Sequence, residues 1–423
     1  MPPHLSPAPS CQLTAAGPRS SNQHTHTKKV RRSKIIATKT NASRRASVDK
    51  TAVPLDAPRS GVPKLFGQTV LVLQGGGALG AYQLGVYQAM HEAGIDPDWV
   101  VGTSIGAING AIIAGNPPDQ RMERLHQFWD SMQPRQGAYA PAMNWFGNMM
   151  TNANTISQGI PGFFKPNRNT MYGQHAQVGI EEASYYSTEP LRETLASLVD
   201  FEYLESKATR LTVGAVHART GAMRYFDSRN DVLAVEHIMA SGALPPAFPA
   251  VRIDGEPYWD GGIYSNTPVE VVLDDNPRRD STVFAVNLWS PDGPEPGSLW
   301  QVNGRQKDIQ FASRSDSHIV RQQQIHKLRH IIRELSQRIP AATRNDPQVK
   351  EMSAWGCSST MHMVRLLAPR LDGEDHTKDI DFTARGVRAR WDAGLRDTQR
   401  AIAAAPWQAE VDPTEGIVIH QFE

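Results

Sequence analysis

A serine between two glycines is the first candidate for chemistry in this sequence. Residues 102–106 read GTSIG, so Ser104 lies between Gly102 and Gly106 in the pattern G-x-S-x-G. The pattern follows a short apolar run at 99–101 and opens a stretch of small residues, as expected for a sharp turn from a strand into a helix. Such a turn lifts the serine hydroxyl to the sheet edge, and glycines on either side avoid a collision. The pattern predicts that Ser104 is the nucleophile of an ester hydrolase.

A glycine cluster precedes this turn, at the end of another apolar run. Residues 75–80 read GGGALG, and Gly75, Gly77 and Gly80 have the G-x-G-x-x-G spacing of a dinucleotide-binding turn. That interpretation needs an acidic residue at the end of the second strand, whereas the acidic residues near the required distance come before it. Attack by a serine creates an oxyanion that needs preorganised N–H donors. We therefore interpret Gly75, Gly76 and Gly77 as an oxyanion loop.

A carboxylate is the candidate proton acceptor. Asp260 ends a predicted strand and enters the Gly261–Gly262 turn, where its side chain can point into a cleft. Taken alone, this segment is more typical of an aspartate that only caps a turn. Six histidines lie further along the chain, mostly in polar or charged surroundings that are typical of solvated side chains, at positions 318, 326, 330, 362, 376 and 420. A triad that includes one of them stays an alternative.

These motifs, in this order, resemble those of the patatin-like phospholipases. That family has a glycine-rich oxyanion loop, a G-x-S-x-G elbow and a late Asp-Gly-Gly or Asp-Gly-Ala. Residues 241–249, SGALPPAFP, resemble the segment that precedes the family's aspartate, and Asn266 and Pro268 match the Asn-x-Pro that follows it. The resemblance covers about residues 69–290. One position differs: Leu79 stands where the family often has Arg or Lys, so a fixed cation is absent there.

The resemblance implies both the fold and the mechanism. It implies a Ser–Asp dyad of Ser104 and Asp260 without a catalytic histidine, an acyl-enzyme intermediate, and no metal or cofactor. Burial can raise the pKa of an aspartate enough to make it a useful base. The residues that support these motifs are Gly80, Gly102, Gly106, Gly261, Gly262 and Asn266.

The surrounding elements predict an α/β fold. The apolar runs at 70–73 and 99–101 are each followed by a helix-like pattern, and this alternation favours right-handed βαβ units with a parallel sheet. Together with the resemblance, it predicts a three-layer α/β/α domain with a mainly parallel central sheet. Further strands are predicted at 211–216, 223–226, 252–259, 283–288 and 361–367, and helices at 188–198, 232–240, 316–338 and 382–404.

Composition limits the domain organisation and the compartment. The 423 residues are 39% hydrophobic and contain two cysteines, which excludes a disulfide framework and a multi-cysteine metal site and favours a reducing compartment. No run approaches the roughly 18 apolar residues of a membrane span. We expect a disordered basic tail at 1–66, a catalytic domain at 69–290 and a mostly helical C-terminal extension of unknown role at 301–423.

The N-terminal tail carries most of the charge asymmetry. Residues 1–60 contain 11 Lys+Arg and 2 Asp+Glu, and the segment KKVRRSK spans 28–34. Such a cluster can contact anionic lipid or nucleic acid, but a solvated tail is the favoured interpretation and no nucleic-acid partner is expected. The tail lacks the apolar core of a secretory signal, and its Arg/Ser-rich composition is weakly compatible with a transit peptide.

The expected function is hydrolysis of lipid acyl esters in the cytoplasm, by a protein that is either free or peripheral at a membrane. Two alternatives stay open: an esterase of short soluble or hydroxyacid-oligomer esters, and a non-catalytic lipid-binding protein on the same fold. The irregular stretch 138–172 contains six large apolar residues and is either a lid or acyl-chain wall, or ordinary core packing. The basic segment 316–338 is either a membrane-surface or self-association helix, or a helix packed on the catalytic domain. Oligomeric state and head-group preference are left open.

Overall fold

The computed structural model describes residues 64–133, 157–173, 175–371, 374, 376–412 and 414–422, without the side chains of 313–316. Most of the predicted tail at 1–66, most of the stretch 138–172, and its residues Trp145, Phe146, Met149 and Met150 therefore lie outside the described part.

Nine strands of the described chain form one sheet, and two short strands pair separately. The strands are β1 (Gln68–Leu73), β2 (Trp99–Gly102), β3 (Lys165–Pro166), β4 (Tyr186–Ser187), β5 (Arg210–His217), β6 (Met223–Asp227), β7 (Val251–Ile253), β8 (Glu256–Asp260), β9 (Ser281–Asn287), β10 (Met361–Leu367) and β11 (Ile417–Phe422). The order in the large sheet is β11-β10-β9-β1-β2-β5-β8-β7, with β6 also paired to β5. The five pairings from β11 to β5 are parallel, and those of β6, β7 and β8 are antiparallel. The prediction of a mainly parallel sheet is confirmed.

Helices cover both faces of this sheet. They are α1 (Ala81–Glu92), α2 (Ile105–Ala114), α3 (Pro118–Ser131), α4 (Glu189–Leu198), α5 (Phe201–Glu205), α6 (Val235–Ser241), α7 (Val269–Leu273), α8 (Leu299–Arg338), α9 (Ala341–Arg344), α10 (Pro347–Ser353) and α11 (Ala384–Ala404). Alternate residues of β1 belong to different apolar cores: Leu71 and Leu73 pack with α1 and α2, whereas Val70 and Val72 pack with α7 and α8. Side chains of a strand alternate between faces, so a fully apolar β1 is buried on both, as the three-layer prediction requires.

The C-terminal residues extend the same sheet. Strand β10 pairs with β9 over Met361–Leu367, the range predicted from the sequence. Helix α11 crosses α1 so closely that a Cβ on Gly394 would lie 2.1 Å from the carbonyl oxygen of Tyr82. The Tyr82 hydroxyl donates to Asp397 at 2.9 Å. The C-terminal residues thus share the sheet and the core with the predicted catalytic domain.

Candidate active site

The turn around Ser104 has the geometry that its flanking glycines require. Ser104 has φ 56° and ψ −126°, in the left-handed region that side chains rarely adopt. A Cβ on Gly102 would lie 2.3 Å from the carbonyl oxygen of Gly106, and a Cβ on Gly106 would lie 2.2 Å from that of Leu73. Only glycine fits at these two positions because the turn folds back onto itself and onto β1. The strained backbone of Ser104 supports a functional role, because strained residues cluster at active sites.

The segment that begins at Ser241 holds this turn in place through hydrogen bonds. The Ser104 N–H donates to both the carbonyl and the hydroxyl oxygen of Ser241, each at 3.2 Å. The Ser241 hydroxyl in turn donates to the carbonyl of Gly214 in β5, at 2.7 Å. The segment 241–249 therefore connects the turn to the neighbouring strand, a role that the sequence pattern alone did not assign to Ser241.

Asp260 lies at the end of β8 with its carboxylate against the serine. The residue is only 1% exposed, its side chain accepts a hydrogen bond from the Gly262 N–H at 2.7 Å, and it lines the same cleft as Ser104. A Cβ on Gly261 would lie 2.4 Å from the Gly214 carbonyl oxygen, so the turn after Asp260 also packs tightly on β5. The structure thus brings the two predicted dyad residues together, although they are 156 positions apart in the chain.

Burial controls the charge of this carboxylate. Removal from water raises the pKa of Asp260 to about 7, and the hydrogen bonds from Gly262 and Ser104 oppose the rise. A general base works best when its pKa lies near the working pH, because enough of it is ionised while its affinity for a proton is still high. The environment thus gives this aspartate a proton affinity that an exposed aspartate lacks.

The glycine loop lies beside the serine and is anchored through Gly75. The Gly75 carbonyl accepts from the Asn266 Nδ2 at 3.0 Å and from the Trp289 Nε1 at 2.8 Å. The Gly75 N–H donates to the Asn266 carbonyl at 3.1 Å, so it is not available to an oxyanion and Gly75 differs from the sequence expectation. A Cβ on Gly75 would lie 3.0 Å from the Cβ of Ser104. Gly75 therefore packs directly against the side chain of Ser104.

Gly76 and Gly77 are the remaining candidate donors. No hydrogen bond between described residues uses the N–H of either glycine. Gly77 has φ 55° and begins a 3-10 turn that ends at Gly80, where a Cβ would lie 2.7 Å from Ile105. Both glycines line the same cleft as Ser104, so the loop has two amides that use no described acceptor beside that cleft.

A largely apolar cleft of about 230 Å³ contains Ser104, Asp260 and the glycine loop. Its aromatic lining residues are Phe163, Phe164, Tyr186, Phe248, Trp289, Phe311 and Phe382. Phe163 and Phe164, from the described end of the stretch 138–172, are 8% and 6% exposed, and their rings lie 5.6 and 5.5 Å from that of Phe248. These two residues form part of the wall of the cleft.

No histidine lines the described cleft. His326 and His330 are buried and contact the backbone carbonyls of Leu273 and Ser359, at 3.0 and 2.9 Å. His362 is also buried and its ring stacks on His420. The expectation of mostly solvated histidines is therefore wrong for three of the six.

The described ranges contain no group of three or more His, Cys, Asp or Glu residues arranged to hold a metal ion. They also contain no helix whose length and apolarity would suit it to crossing a bilayer.

Sequence reasoning missed several residues that build the site. Gln74 is buried before the glycine loop; its Oε1 accepts from the N–H of Trp289 at 3.0 Å, and its Nε2 donates to Thr267 at 2.6 Å. Trp289 and Phe382 come from segments far from any motif. The position of Gln74 directly before GGG was the one local signal available.

Two family models match this chain. The model described as patatin-like phospholipase matches residues 71–273, and one described as patatin phospholipase matches residues 309–414. The first spans the glycine loop, Ser104 and Asp260. The second covers most of the predicted C-terminal extension.

Similar proteins include lysophospholipases. Lysophospholipase nte1 of Aspergillus terreus is 58% identical over 52 residues, which is 12% of this chain and 3% of that protein. Lysophospholipase NTE1 of Candida glabrata is 27% identical over 245 residues, which is 55% of this chain and 11% of that protein. The crystal structure of VipD from Legionella pneumophila aligns at 13% identity with a TM-score of 0.34, covering 80% of this chain and 67% of VipD. The chain thus spans only 3% and 11% of the length of the two lysophospholipases.

Because the two family models together cover more than half of its residues, the chain belongs to the patatin-like phospholipase family.

Proposed function

We propose that this protein hydrolyses carboxylic esters of lipids, with Ser104 as nucleophile and Asp260 as proton acceptor. The observation that carries the proposal is that Ser104 and the buried carboxylate of Asp260 line the same apolar cleft, together with Gly76 and Gly77, whose amides donate to no described residue. Family membership and the printed names of the relatives support the same chemistry.

The first half of the proposed cycle forms an acyl-enzyme. Asp260 accepts the hydroxyl proton while the Ser104 Oγ attacks the ester carbonyl carbon, so a free alkoxide never forms. The negative charge moves to the carbonyl oxygen, which accepts hydrogen bonds from the N–H groups of Gly76 and Gly77 in this proposal. When the tetrahedral intermediate collapses, the ester C–O bond breaks and the leaving alcohol takes the proton from Asp260.

The second half releases the acid. Asp260 accepts a proton from a water molecule as that water attacks the acyl carbon, and the same two amides stabilise the second oxyanion. Collapse breaks the bond to Ser104, whose Oγ recovers the proton from Asp260. Each proton that Asp260 takes is returned, so the cycle consumes only ester and water.

The lining of the cleft favours an acyl chain over a polar group. Aromatic rings surround the space beside Ser104. Burial of an acyl chain against them contributes about 25 cal/mol for each Å² of apolar surface removed from water. Lysophospholipids are the first substrates to test, since two relatives carry that activity in their names. We propose the cytoplasmic surface of a membrane as the place of action.

Covalent labelling tests the proposal directly. A fluorophosphonate should label the wild-type chain and fail to label Ser104→Ala, while Ser197→Ala, at an exposed position of α4 outside the cleft, should still be labelled. Absence of labelling in the wild type would favour the non-catalytic lipid-binding alternative. Turnover of p-nitrophenyl esters of increasing chain length, with and without micelles, separates a lipid hydrolase from an esterase of short soluble esters, because only the former gains from longer chains and from an interface.

A further inference from the structure

The C-terminal region supplies part of the wall of the catalytic cleft. Phe311 from α8 and Asp379, Ile380 and Phe382 from the segment before α11 line the same cavity as Ser104. Phe382 is 3% exposed, and its ring centroid lies 6.4 Å from that of Phe163, which lines the same cleft. The cavity therefore does not close without residues that lie beyond the predicted catalytic domain.

The backbone of this segment also packs against the glycine loop. Residues Lys378–Ile380 form a 3-10 turn, and a Cβ on Gly77 would lie 2.2 Å from the Asp379 carbonyl oxygen. The two backbones therefore approach so closely that only glycine fits at position 77. The position of the Gly77 amide thus depends on where the turn is held.

Two ion pairs from α8 hold that turn. The Lys307 Nζ donates to both carboxylate oxygens of Asp379, at 2.8 and 2.9 Å, and to the His376 carbonyl at 3.0 Å. The Lys378 Nζ donates to Asp308 at 2.6 Å, and both of these residues are buried. Buried charges that are paired and hydrogen-bonded resist displacement, because separation would leave an unpaired charge out of water.

A third contact extends this arrangement. The Arg370 Nη2 donates to the second carboxylate oxygen of Asp308, at 2.8 Å. The Lys378 Nζ also lies 5.2 Å from the centroid of the Trp289 ring, and Trp289 anchors the Gly75 carbonyl. The 3-10 turn is therefore connected to both ends of the glycine loop.

We propose that residues 376–382 form a selectivity wall for the acyl chain and that Lys307 is a positioning residue, which acts on the oxyanion loop through Asp379. The proposal rests on the proposed function, since it concerns the same cleft. It assigns a role to the C-terminal region: Phe382 limits the depth of the acyl pocket, and the ion pairs of α8 keep the Gly77 amide in place.

The depth of the pocket is tested with Phe382→Leu and Phe382→Ala. A smaller side chain deepens the cavity, so the chain length with the highest kcat/KM should increase, with about a tenfold change in the ratio of long to short esters, as one added methylene typically gives. Phe284→Leu is the matched control, because Phe284 is a fully buried aromatic residue of β9 that does not line the cleft. It should leave the chain-length profile unchanged. If Phe382→Ala does not fold, the leucine variant alone decides the outcome.

The positioning role is tested with Lys307→Met and Lys307→Arg. Loss of the ion pair should lower kcat about tenfold and change KM less than twofold, because a misplaced amide weakens the transition state more than the bound ester. Arginine should restore most of kcat. Lys327→Met is the matched control, since Lys327 of α8 pairs with exposed Glu415 away from the cleft. Its kcat should equal that of the wild type.

The outcomes separate the inference from the proposed function. A wild-type chain that neither reacts with a fluorophosphonate nor hydrolyses any ester refutes the proposed function, and the inference with it. An active wild type with unchanged chain-length profiles in both Phe382 variants refutes the wall. Equal kcat values for Lys307→Met and the wild type refute the positioning role.

Discussion

Replacing Asp260 with Asn should stabilise the fold, and the gain should increase with pH. The substitution removes an ionisable group that is 1% exposed and keeps an oxygen that can accept from the Gly262 N–H. Asparagine is nearly the same size, so cavity formation contributes little. The pH dependence of the stability difference between Asp260→Asn and the wild type then comes from proton binding to the Asp260 carboxyl group of the wild type.

The sign follows from the two pKa values. Burial raises the pKa of Asp260 from 3.8 to about 7 in the folded chain. Between these values the folded state holds a proton that the unfolded state has lost, so the contribution to stability is fully present below pH 3.8 and disappears as the pH rises through 7. Each pH unit in this window changes the free energy of unfolding by about 1.4 kcal/mol.

The size of the effect is set by the stability that the wild type loses between pH 5 and pH 8. From pH 5 to pH 8 the wild type should lose about 2.5 kcal/mol of stability through this one group. Asparagine does not titrate, so the advantage of Asp260→Asn over the wild type should be larger by that amount at pH 8. All other titrations are common to both proteins and cancel in the difference.

Urea unfolding at 25 °C at pH 5 and pH 8 measures this difference. Asp130→Asn, at an exposed position of α3, controls for the loss of a surface carboxylate. A gap between Asp260→Asn and the wild type that is the same at both pH values would refute the claim that burial raises the pKa of Asp260.

The remaining predictions concern activity. Ester hydrolysis should fall about tenfold for each pH unit below 7 and level off above it, because only ionised Asp260 accepts a proton; initial rates of p-nitrophenyl ester cleavage from pH 5 to 9 measure this, and a flat acidic limb would contradict it. Asn266→Ala should lower kcat/KM at least about tenfold, because it removes a hydrogen bond that holds the Gly75 carbonyl, and oxyanion donors are sensitive to placement. Asn116→Ala is its control, since Asn116 is equally buried and also bonds backbone carbonyls, but lies outside the cleft; equal losses in the two variants would contradict a local role for Asn266.

Local features of the site were predictable because they depend on turns. The strand-turn-helix around Ser104 needs small residues at two fixed positions, and the sequence contains them at Gly102 and Gly106. The strands at 70–73 and 361–367 were predictable from their apolar runs, since a strand buried on both faces needs no polar residues.

Other features depended on residues brought together from distant parts of the chain. The sequence pattern assigned an N–H donor to Gly75, but in the fold that N–H donates to Asn266, which lies 191 positions away. Histidines in charged segments were expected in solvent, yet His326 and His330 of α8 are buried, because their side of the helix packs against the backbone at Leu273 and Ser359. No local pattern encodes such contacts.

The sequence by itself determined the family, the α/β class and the residues with the right chemistry at strand ends, because these depend on short-range sterics and on alternation of apolar runs. Only the tertiary structure decided that Asp260 is buried against Ser104, that the C-terminal strands extend the same sheet, and that Phe382 and Asp379 complete the cleft. The physical reason is that burial, hydrogen-bond pairing and the pKa of a carboxylate are properties of the space around a residue, and segments hundreds of positions apart create that space.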